Sequence, residues 1–180
     1  MSPSDLCLRL AVFGDIPAIE TLIEASVNGL QAGDYSEVQR AGALGSVFGV
    51  DRQLIRDGTY FVVEGGGALV ACGGWSKRKR LFGSDHVEGK DDAFLDPLTD
   101  AARIRAFFVH PSWARRGLGA RLLDAGEQAA RAAGFTRLEL GATLTGIPLY
   151  ERFGFRPLER TEVPLPNGAT LAIVKMGKPL

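Results

Sequence analysis

A short glycine-bearing turn joins a strand pattern to a helix pattern at residues 109–120, which run Val-His-Pro-Ser-Trp-Ala-Arg-Arg-Gly-Leu-Gly-Ala. The β-rich run at residues 103–109 predicts a strand, and apolar residues at helical spacing predict a helix from about Gly117 to Gly134. The first N–H groups of a helix have no partner within it, and glycine lets an anion approach the backbone. The turn is therefore predicted to bind a phosphate, with close packing as the alternative reason for its glycines. Three arginines add positive charge around it: Arg115, Arg116 and Arg121.

Two common nucleotide-binding motifs do not fit this turn. A Rossmann fingerprint needs a third glycine where Leu122 stands, although Glu139 lies where its ribose-binding acid is expected. The strand also follows a predicted hairpin and does not open a βαβ series. A P-loop needs a GxxxxGK[ST] string, which the sequence lacks. The predicted phosphate site therefore belongs to neither family.

The remaining patterns predict strands and helices over one domain of residues 1–180. Glycines at 65–67 separate two β-rich runs and predict a hairpin, and Asp15 is the predicted N-cap of the first helix. The predicted strands are residues 6–10, 59–64, 68–72, 103–109, 137–140, 155–158 and 170–176. The predicted helices are residues 15–28, 37–44, 51–56, 117–134 and 147–152. This order predicts an α/β fold, a mixed and mostly antiparallel central sheet with helices on both faces.

Composition excludes several classes of protein. The 180 residues carry 21 basic and 21 acidic side chains, so the chain lacks the basic character of a typical nucleic-acid-binding domain. No apolar run of about eighteen residues is present to span a bilayer, and the first residues lack a signal-peptide pattern. We therefore expect a cytoplasmic protein with no membrane partner. Cys7 and Cys72 lack metal-ligand spacing, so we expect two buried thiols and no metal.

A polar insert at about residues 76–101 interrupts the strand pattern. It opens with four basic residues, 77–80, which are predicted to form a solvated turn in preference to a nucleic-acid site. Six acidic residues follow: Asp85, Glu88, Asp91, Asp92, Asp96 and Asp100. A segment of this length without periodicity is usually functional or mobile.

Three short strings carry a resemblance to a known family. Val109 and Pro111 end a strand, residues 117–119 open a helix as Gly-Leu-Gly, and residues 150–155 run Tyr-Glu-Arg-Phe-Gly-Phe. In this order they resemble the core motif of the GNAT superfamily of N-acetyltransferases, and the likeness extends from about residue 8 to residue 155. Ala114 stands at the first motif position, where the family usually has Gln or Arg, and the arginines follow at 115 and 116.

The resemblance implies transfer of an acetyl group from acetyl-CoA, as co-substrate, to an amine of a small molecule or peptide by direct attack. Tyr150 matches the family's general acid, with a core aromatic as the alternative role. Thr143 stands where the family often has an Asn, which makes it the weaker cofactor contact. The resemblance assigns the pyrophosphate and pantetheine contacts to Phe108, Val109, Arg115, Arg116, Gly117, Leu118, Gly119 and Ala120.

The sequence indicates the general base and the acetyl acceptor less directly than it indicates the acid and the cofactor contacts. The family often has a Glu on the strand at residues 103–109, and no acid occurs there. His86 lies beside Asp85 and close to Glu88 in the insert, so it is the predicted base, with ordered water as the alternative. The acids after Arg80 favour a cationic amine acceptor. Two other functions stay open, a non-catalytic acyl-CoA-binding or regulatory module of the same fold and a nucleic-acid-binding protein, and a homodimer is left open as well.

Overall fold

The computed structural model describes residues 6–83 and 92–180, and within them seven strands form one sheet. The strands are β1 (Cys7–Leu10), β2 (Tyr60–Gly65), β3 (Ala68–Ser76), β4 (Ala102–Val109), β5 (Arg137–Thr143), β6 (Arg156–Pro164) and β7 (Thr170–Pro179). Their spatial order is β1-β2-β3-β4-β5-β7-β6, with β4 and β5 parallel and the other described neighbours antiparallel. The predicted mixed, mostly antiparallel α/β sheet is confirmed.

Helices cover both faces of the sheet, as predicted. They are α1 (Ile16–Leu30), α2 (Glu37–Ala43), α3 (Arg52–Arg56), α4 (Leu118–Ala132) and α5 (Ile147–Arg152). Ile173 of β7 packs in the apolar cluster of α1, and its neighbour Val174 packs in the cluster of α4. Successive side chains of a strand point to opposite faces, so α1 and α4 lie on opposite sides of the sheet. None of the helices in the described part of the chain combines the length and apolar character that a bilayer span needs.

β4 leaves β5 after a short paired stretch and bends. The two strands pair only between residues 102–104 and residues 138–140. Beyond that stretch Ala106 has a φ of 56°, and the register with β3 shifts because Ala106 and Phe107 lie opposite the single residue Gly73. This is a β-bulge, which bends the strand that carries it. A Cβ atom on Gly73 would lie 2.3 Å from the Phe107 ring, so the glycine provides space that the bulge needs.

The described ends of the insert pair with each other and bury part of their charge. Residues 77–79 run antiparallel to residues 93–95, with N···O distances of 2.8 and 3.0 Å. Arg78 donates to Asp57 at 2.7 Å, and the Arg80 side chain is only 7% exposed. The prediction of a solvated turn at residues 77–80 is therefore wrong for these two arginines, because each pairs with a carboxylate from the α3 region.

One local prediction is wrong, one is confirmed in its position but not in its hydrogen bonds, and one is extended. Cys7 is exposed, although it was predicted to be buried, because it lies on the edge strand β1. Asp15 holds the N-cap position of α1, but its carboxylate accepts hydrogen bonds from the Arg9 side chain and the Val12 N–H. β6 and β7 are longer than predicted because a turn at residues 165–169 joins them as a hairpin.

Candidate active site

A cleft opens on the sheet where β4 and β5 part. Its empty space is about 610 Å³, including the part that is open to solvent. Residues 104–108 of β4 line one wall, and Gly141, Thr143, Tyr150 and Phe82 contribute to the rest of the lining. Strands that part expose main-chain groups which a continuous sheet would pair. The cleft therefore offers main-chain donors and acceptors beside apolar side chains.

Tyr150 reaches this cleft from α5, the short helix predicted at residues 147–152. The helix begins with a proline in its first turn and ends before Gly154, whose φ is 90°. The Tyr150 ring packs edge-on against Phe155, with centroids 5.7 Å apart, and lies tilted against Phe107 of the β4 bulge at 6.4 Å. The residue is 8% exposed. The ring is therefore held by core packing. Such packing is expected both for a core aromatic and for a general acid that is held in position.

The Tyr150 hydroxyl distinguishes these two roles. Among residues 6–83 and 92–180, no group makes a hydrogen bond to it, whereas a buried tyrosine hydroxyl usually finds a partner. Burial raises the pKa of Tyr150 above its ordinary value, so the hydroxyl stays protonated near neutral pH. A protonated and unpartnered hydroxyl in a cleft is a donor that a bound molecule can use.

The predicted phosphate turn has an open backbone. Gly117 has a φ of 80° and precedes the first residue of α4, and Arg115 has a φ of 63°. The first described hydrogen bond of the helix runs from the Arg121 N–H to the Gly117 carbonyl, and no side chain caps the helix start. The N–H groups of residues 118–120 consequently have no acceptor within the helix. A helix start of this kind attracts anions through its N–H groups and its dipole.

The residues of the turn differ in what they contact. The Arg116 guanidinium stacks 4.8 Å above the Trp113 ring, and Arg121 donates to the Leu6 carbonyl. A Cβ atom on Gly119 would lie 2.9 Å from a Leu149 methyl group, so this glycine lets α4 pack against α5. A packing role therefore applies to Gly119 whether or not a phosphate also lies there. In contrast, no described atom lies within 4 Å of the Cβ position on Gly117.

The strand-edge contacts show one feature that the sequence did not indicate. Phe108 is buried on the α1 side, and the Val109 N–H donates to the Ser26 hydroxyl of α1 at 3.3 Å. Ser26 thus covers one of the main-chain donors at this edge of β4. Thr143 lines the cleft, and its hydroxyl accepts a hydrogen bond from the Gly146 N–H at 3.1 Å, which stabilises the turn before α5.

A buried charge cluster lies against the cleft, and sequence patterns gave no indication of it. Arg105 of β4 and Arg80 of the insert share the carboxylate of Asp51, at 2.9 and 3.2 Å. The same carboxylate accepts from the N–H groups of residues 53 and 54 and so caps α3. Arg105 also donates to the Gly83 carbonyl at 2.6 Å, and burial lowers the pKa of Arg105 to about 10. A basic residue within a strand was the only local signal, and it does not reveal a partner 54 positions away.

The two histidines differ in what the structure shows. The predicted base His86 lies outside the described residues. His110 directly follows β4, and its Nδ1 accepts a hydrogen bond from the Ser112 N–H at 3.2 Å, which caps the short 3-10 turn at Pro111–Trp113. Its role in the structure is therefore to form the connection between β4 and α4.

The chain is similar to known proteins in its sequence family and in its fold. The model of the acetyltransferase (GNAT) family matches residues 31–155, which include the turn, Arg105 and Tyr150. Curated proteins gave no match. A solved GCN5-related N-acetyltransferase from Rhodopseudomonas palustris is 25% identical with a TM-score of 0.72, and the match covers 100% of this chain and 99% of that one.

Two further solved structures show the same fold with coenzyme A or acetyl-CoA present. The PaiA N-acetyltransferase from Thermoplasma acidophilum, in complex with coenzyme A, is 13% identical with a TM-score of 0.65, and both chains are covered fully. YncA from Salmonella typhimurium, a putative acetyltransferase with acetyl-CoA, is 18% identical with a TM-score of 0.64, covering 97% of this chain and 94% of that one. At these identities the similarity establishes the fold.

Proposed function

Because this chain belongs to the acetyltransferase (GNAT) family, we propose that it transfers the acetyl group of acetyl-CoA to an amine of a small molecule or peptide. The observation that carries the proposal is the unpartnered Tyr150 hydroxyl in the cleft where β4 and β5 part. Tyr150 is the tyrosine of the Tyr-x-x-x-Gly-Phe string at residues 150–155. The turn at residues 115–120 stands at the start of α4, which packs on β3 and on β4, the strand that also lines the cleft.

The open turn fits the pyrophosphate of coenzyme A. Backbone N–H groups of residues 118–120 have no acceptor in the helix, and the left-handed backbone at Arg115 and Gly117 shapes the turn without a capping side chain. These groups would hold the pyrophosphate, and the nearby arginines would add long-range attraction. The pantetheine would follow the edge of β4 at Phe108 and Val109, where Ser26 already accepts a hydrogen bond from the Val109 N–H. The complexes of PaiA with coenzyme A and of YncA with acetyl-CoA support this assignment.

The chemistry requires two proton movements. The amine nitrogen attacks the thioester carbonyl, the new C–N bond forms, and the C–S bond breaks to release a thiolate. Tyr150 donates its proton to the sulfur, and the proton that the nitrogen loses as the amide forms returns to Tyr150 by way of solvent. Burial raises the pKa of Tyr150, but it disfavours the departing thiolate in the same way, so burial itself does not oppose the transfer.

The amine must lose a proton before or during attack, because an alkylamine is mostly protonated at neutral pH. Among the described residues that line the cleft, none has a carboxylate or an imidazole side chain. His86 therefore stays our proposed base, with ordered water as the alternative. Either one would accept the proton that the reaction releases, since the products are an amide, a free thiol and one proton.

The proposal is tested by thiol release from acetyl-CoA with a panel of amines from several chemical classes. We expect release that depends on the amine, together with the acetylated product by mass spectrometry. If acetyl-CoA binds and no amine accelerates thiol release, the chain is a non-catalytic acyl-CoA-binding or regulatory module. Steeply salt-dependent binding to DNA or RNA, without thiol release, would instead indicate the nucleic-acid alternative.

A further inference from the structure

We propose that the acetyl acceptor carries a carboxylate, which the Arg105 guanidinium binds inside the cleft. The inference rests on the proposed function, because it names the class of amine that this site would acetylate. It narrows the acceptor from any amine to an amine with a free carboxylate, such as an amino acid.

The first observation is the incomplete hydrogen bonding of Arg105. Its side chain is 3% exposed, and the residue lines the cleft. Nη2 donates to the Gly83 carbonyl and forms an ion pair with Asp51 at 2.9 Å, but Nε has no hydrogen-bond partner among the described residues. A buried N–H of a charged group is rarely left without an acceptor, because its desolvation is then uncompensated. A carboxylate in the cleft would supply that acceptor.

The second observation is the charge around Arg105. Among the described residues its ion-pair partner is Asp51, which is shared with Arg80 and also caps α3. The remaining described acid of the cluster, Asp92, lies 4.0 Å from Arg80 and has a 41% exposed side chain. Burial lowers the pKa of Arg105 to about 10, as expected for a guanidinium with too little compensating charge. An additional anion near Arg105 would therefore be favourable.

The third observation is the placement of Arg105 relative to the acid. Arg105 immediately precedes the Ala106 bulge, and Phe107 directly after it contacts the Tyr150 ring. Arg105 and Tyr150 therefore line one cleft from two elements. Much of the other lining is apolar: Phe48, Leu81, Phe82, Phe108 and Ile173.

This inference also revises the expected charge of the acceptor. The acids of the insert favoured a cationic amine, yet the charged side chain among the described lining residues is the cation Arg105. An amino acid satisfies both conditions, because it carries an ammonium group and a carboxylate.

The wild-type chain provides the first test. A panel of amino acids is compared with the matching amides and with the matching decarboxylated amines, using thiol release from acetyl-CoA. We expect kcat/KM for the best amino acid to exceed that of its amide and its amine at least about tenfold. Similar kcat/KM values with and without the carboxylate would overturn the inference and leave the acetyltransferase function intact.

An Arg105→Gln variant tests the residue. We expect the preference for acid over amide to fall to about one, through a raised KM for the amino acid, while the KM for acetyl-CoA stays within about twofold. Arg78→Gln is the matched control, because Arg78 also pairs with a carboxylate, Asp57, and does not line the cleft. The control should keep the preference. If Arg105→Gln keeps it too, Arg105 is a structural residue and the proposal fails.

A binding measurement covers the case in which Arg105→Gln does not fold or no amine reacts. Thermal unfolding of the wild-type chain is followed with an N-acetyl amino acid and with the corresponding N-acetyl amide. We expect the acid alone to raise Tm. Equal effects of the two compounds, or no effect of either, would overturn the carboxylate site. Absence of thiol release with every amine would overturn the proposed function, and this binding result would still decide the site.

Discussion

The Tyr60 hydroxyl lies 3.4 Å from the carbonyl oxygen of Ala106, the bulge residue of β4. It also lies 3.3 Å from the sulfur of Cys72, on the neighbouring strand β3. Burial raises the pKa of Cys72 to about 12 and that of Tyr60 well above its ordinary value, so both groups remain protonated donors. Tyr60 thus donates to the carbonyl at the bulge of β4, and it lies in the same apolar cluster as the cleft-lining residues Phe48 and Phe108.

Replacing Tyr60 with Phe removes this donor and keeps the ring. We expect the free energy of unfolding to fall by about 1 kcal/mol, because the part-buried Ala106 carbonyl loses its hydroxyl donor and is left with the weak Cys72 S–H donor at 3.9 Å. We also expect kcat to fall several-fold, since the bulge positions the cleft wall. Denaturant unfolding and thiol-release kinetics measure the two effects. An unchanged kcat beside a reduced stability would show that Tyr60 supports the fold alone.

Tyr150→Phe should lower kcat and leave the stability of the protein nearly unchanged. The Tyr150 hydroxyl makes no hydrogen bond with a described residue, so its loss should leave the free energy of unfolding within about 0.5 kcal/mol of the wild type. If Tyr150 is the acid, kcat falls about 10²-fold while the Kd of acetyl-CoA barely changes. A kcat within about twofold, measured where chemistry is rate-limiting, would leave Tyr150 as a core aromatic.

The phosphate turn is tested best at Gly117, because a side chain there meets no described atom within 4 Å. Gly117→Asp places a negative charge at the helix start, and Gly117→Asn has the same shape without the charge. Asp and Asn tolerate a positive φ better than most residues, so both variants should fold. We expect the Asp variant to bind acetyl-CoA at least about tenfold more weakly than the Asn variant by calorimetry. Equal affinities would remove the pyrophosphate from this turn.

His86→Ala tests the proposed base. We expect kcat/KM to fall and the acidic limb of its pH profile to change, because a neutral imidazole is needed to accept the amine proton. Tyr150→Phe is the matched comparison, since it should lower kcat through thiol release and leave that limb in place. A pH profile for His86→Ala that overlays the wild type would assign proton removal to ordered water.

The ion pair between Arg78 and Asp57 predicts how stability depends on pH. The hydrogen bond from Arg78 lowers the pKa of Asp57, so the stabilisation is present above the unfolded pKa of about 3.9 and is lost as the pH falls through the lower, folded pKa. Arg78→Gln should cost about 1.5–3 kcal/mol at pH 7 and little at low pH. Urea unfolding at both pH values measures this. A cost that does not depend on pH would mean that Arg78 stabilises the insert by packing on Phe94, whose ring lies 4.4 Å away.

The sequence by itself determined the local elements and their order. Hydrophobic spacing and glycine positions predicted α4 with its open turn at Gly117, the hairpin of β2 and β3, and α5 with Tyr150. These features depend on residues close in sequence, because a helix start, a tight turn and a helix stop are set by neighbouring backbone conformations. The resemblance to the GNAT family followed from the same local strings.

The tertiary structure decided what depends on contacts between distant residues. β7 lies between β5 and β6 in the sheet, and this spatial order is set by the pairing of strands that are distant in sequence. Asp51, Arg80 and Arg105 meet across three separate segments, and no spacing rule joins them. The burial of Arg80 and the exposure of Cys7 both departed from expectation, because burial is a property of the packed sheet and not of a residue type. The bulge at Ala106, which parts β4 from β5 and forms the cleft, likewise exists only where Gly73 leaves room for Phe107 on the neighbouring strand.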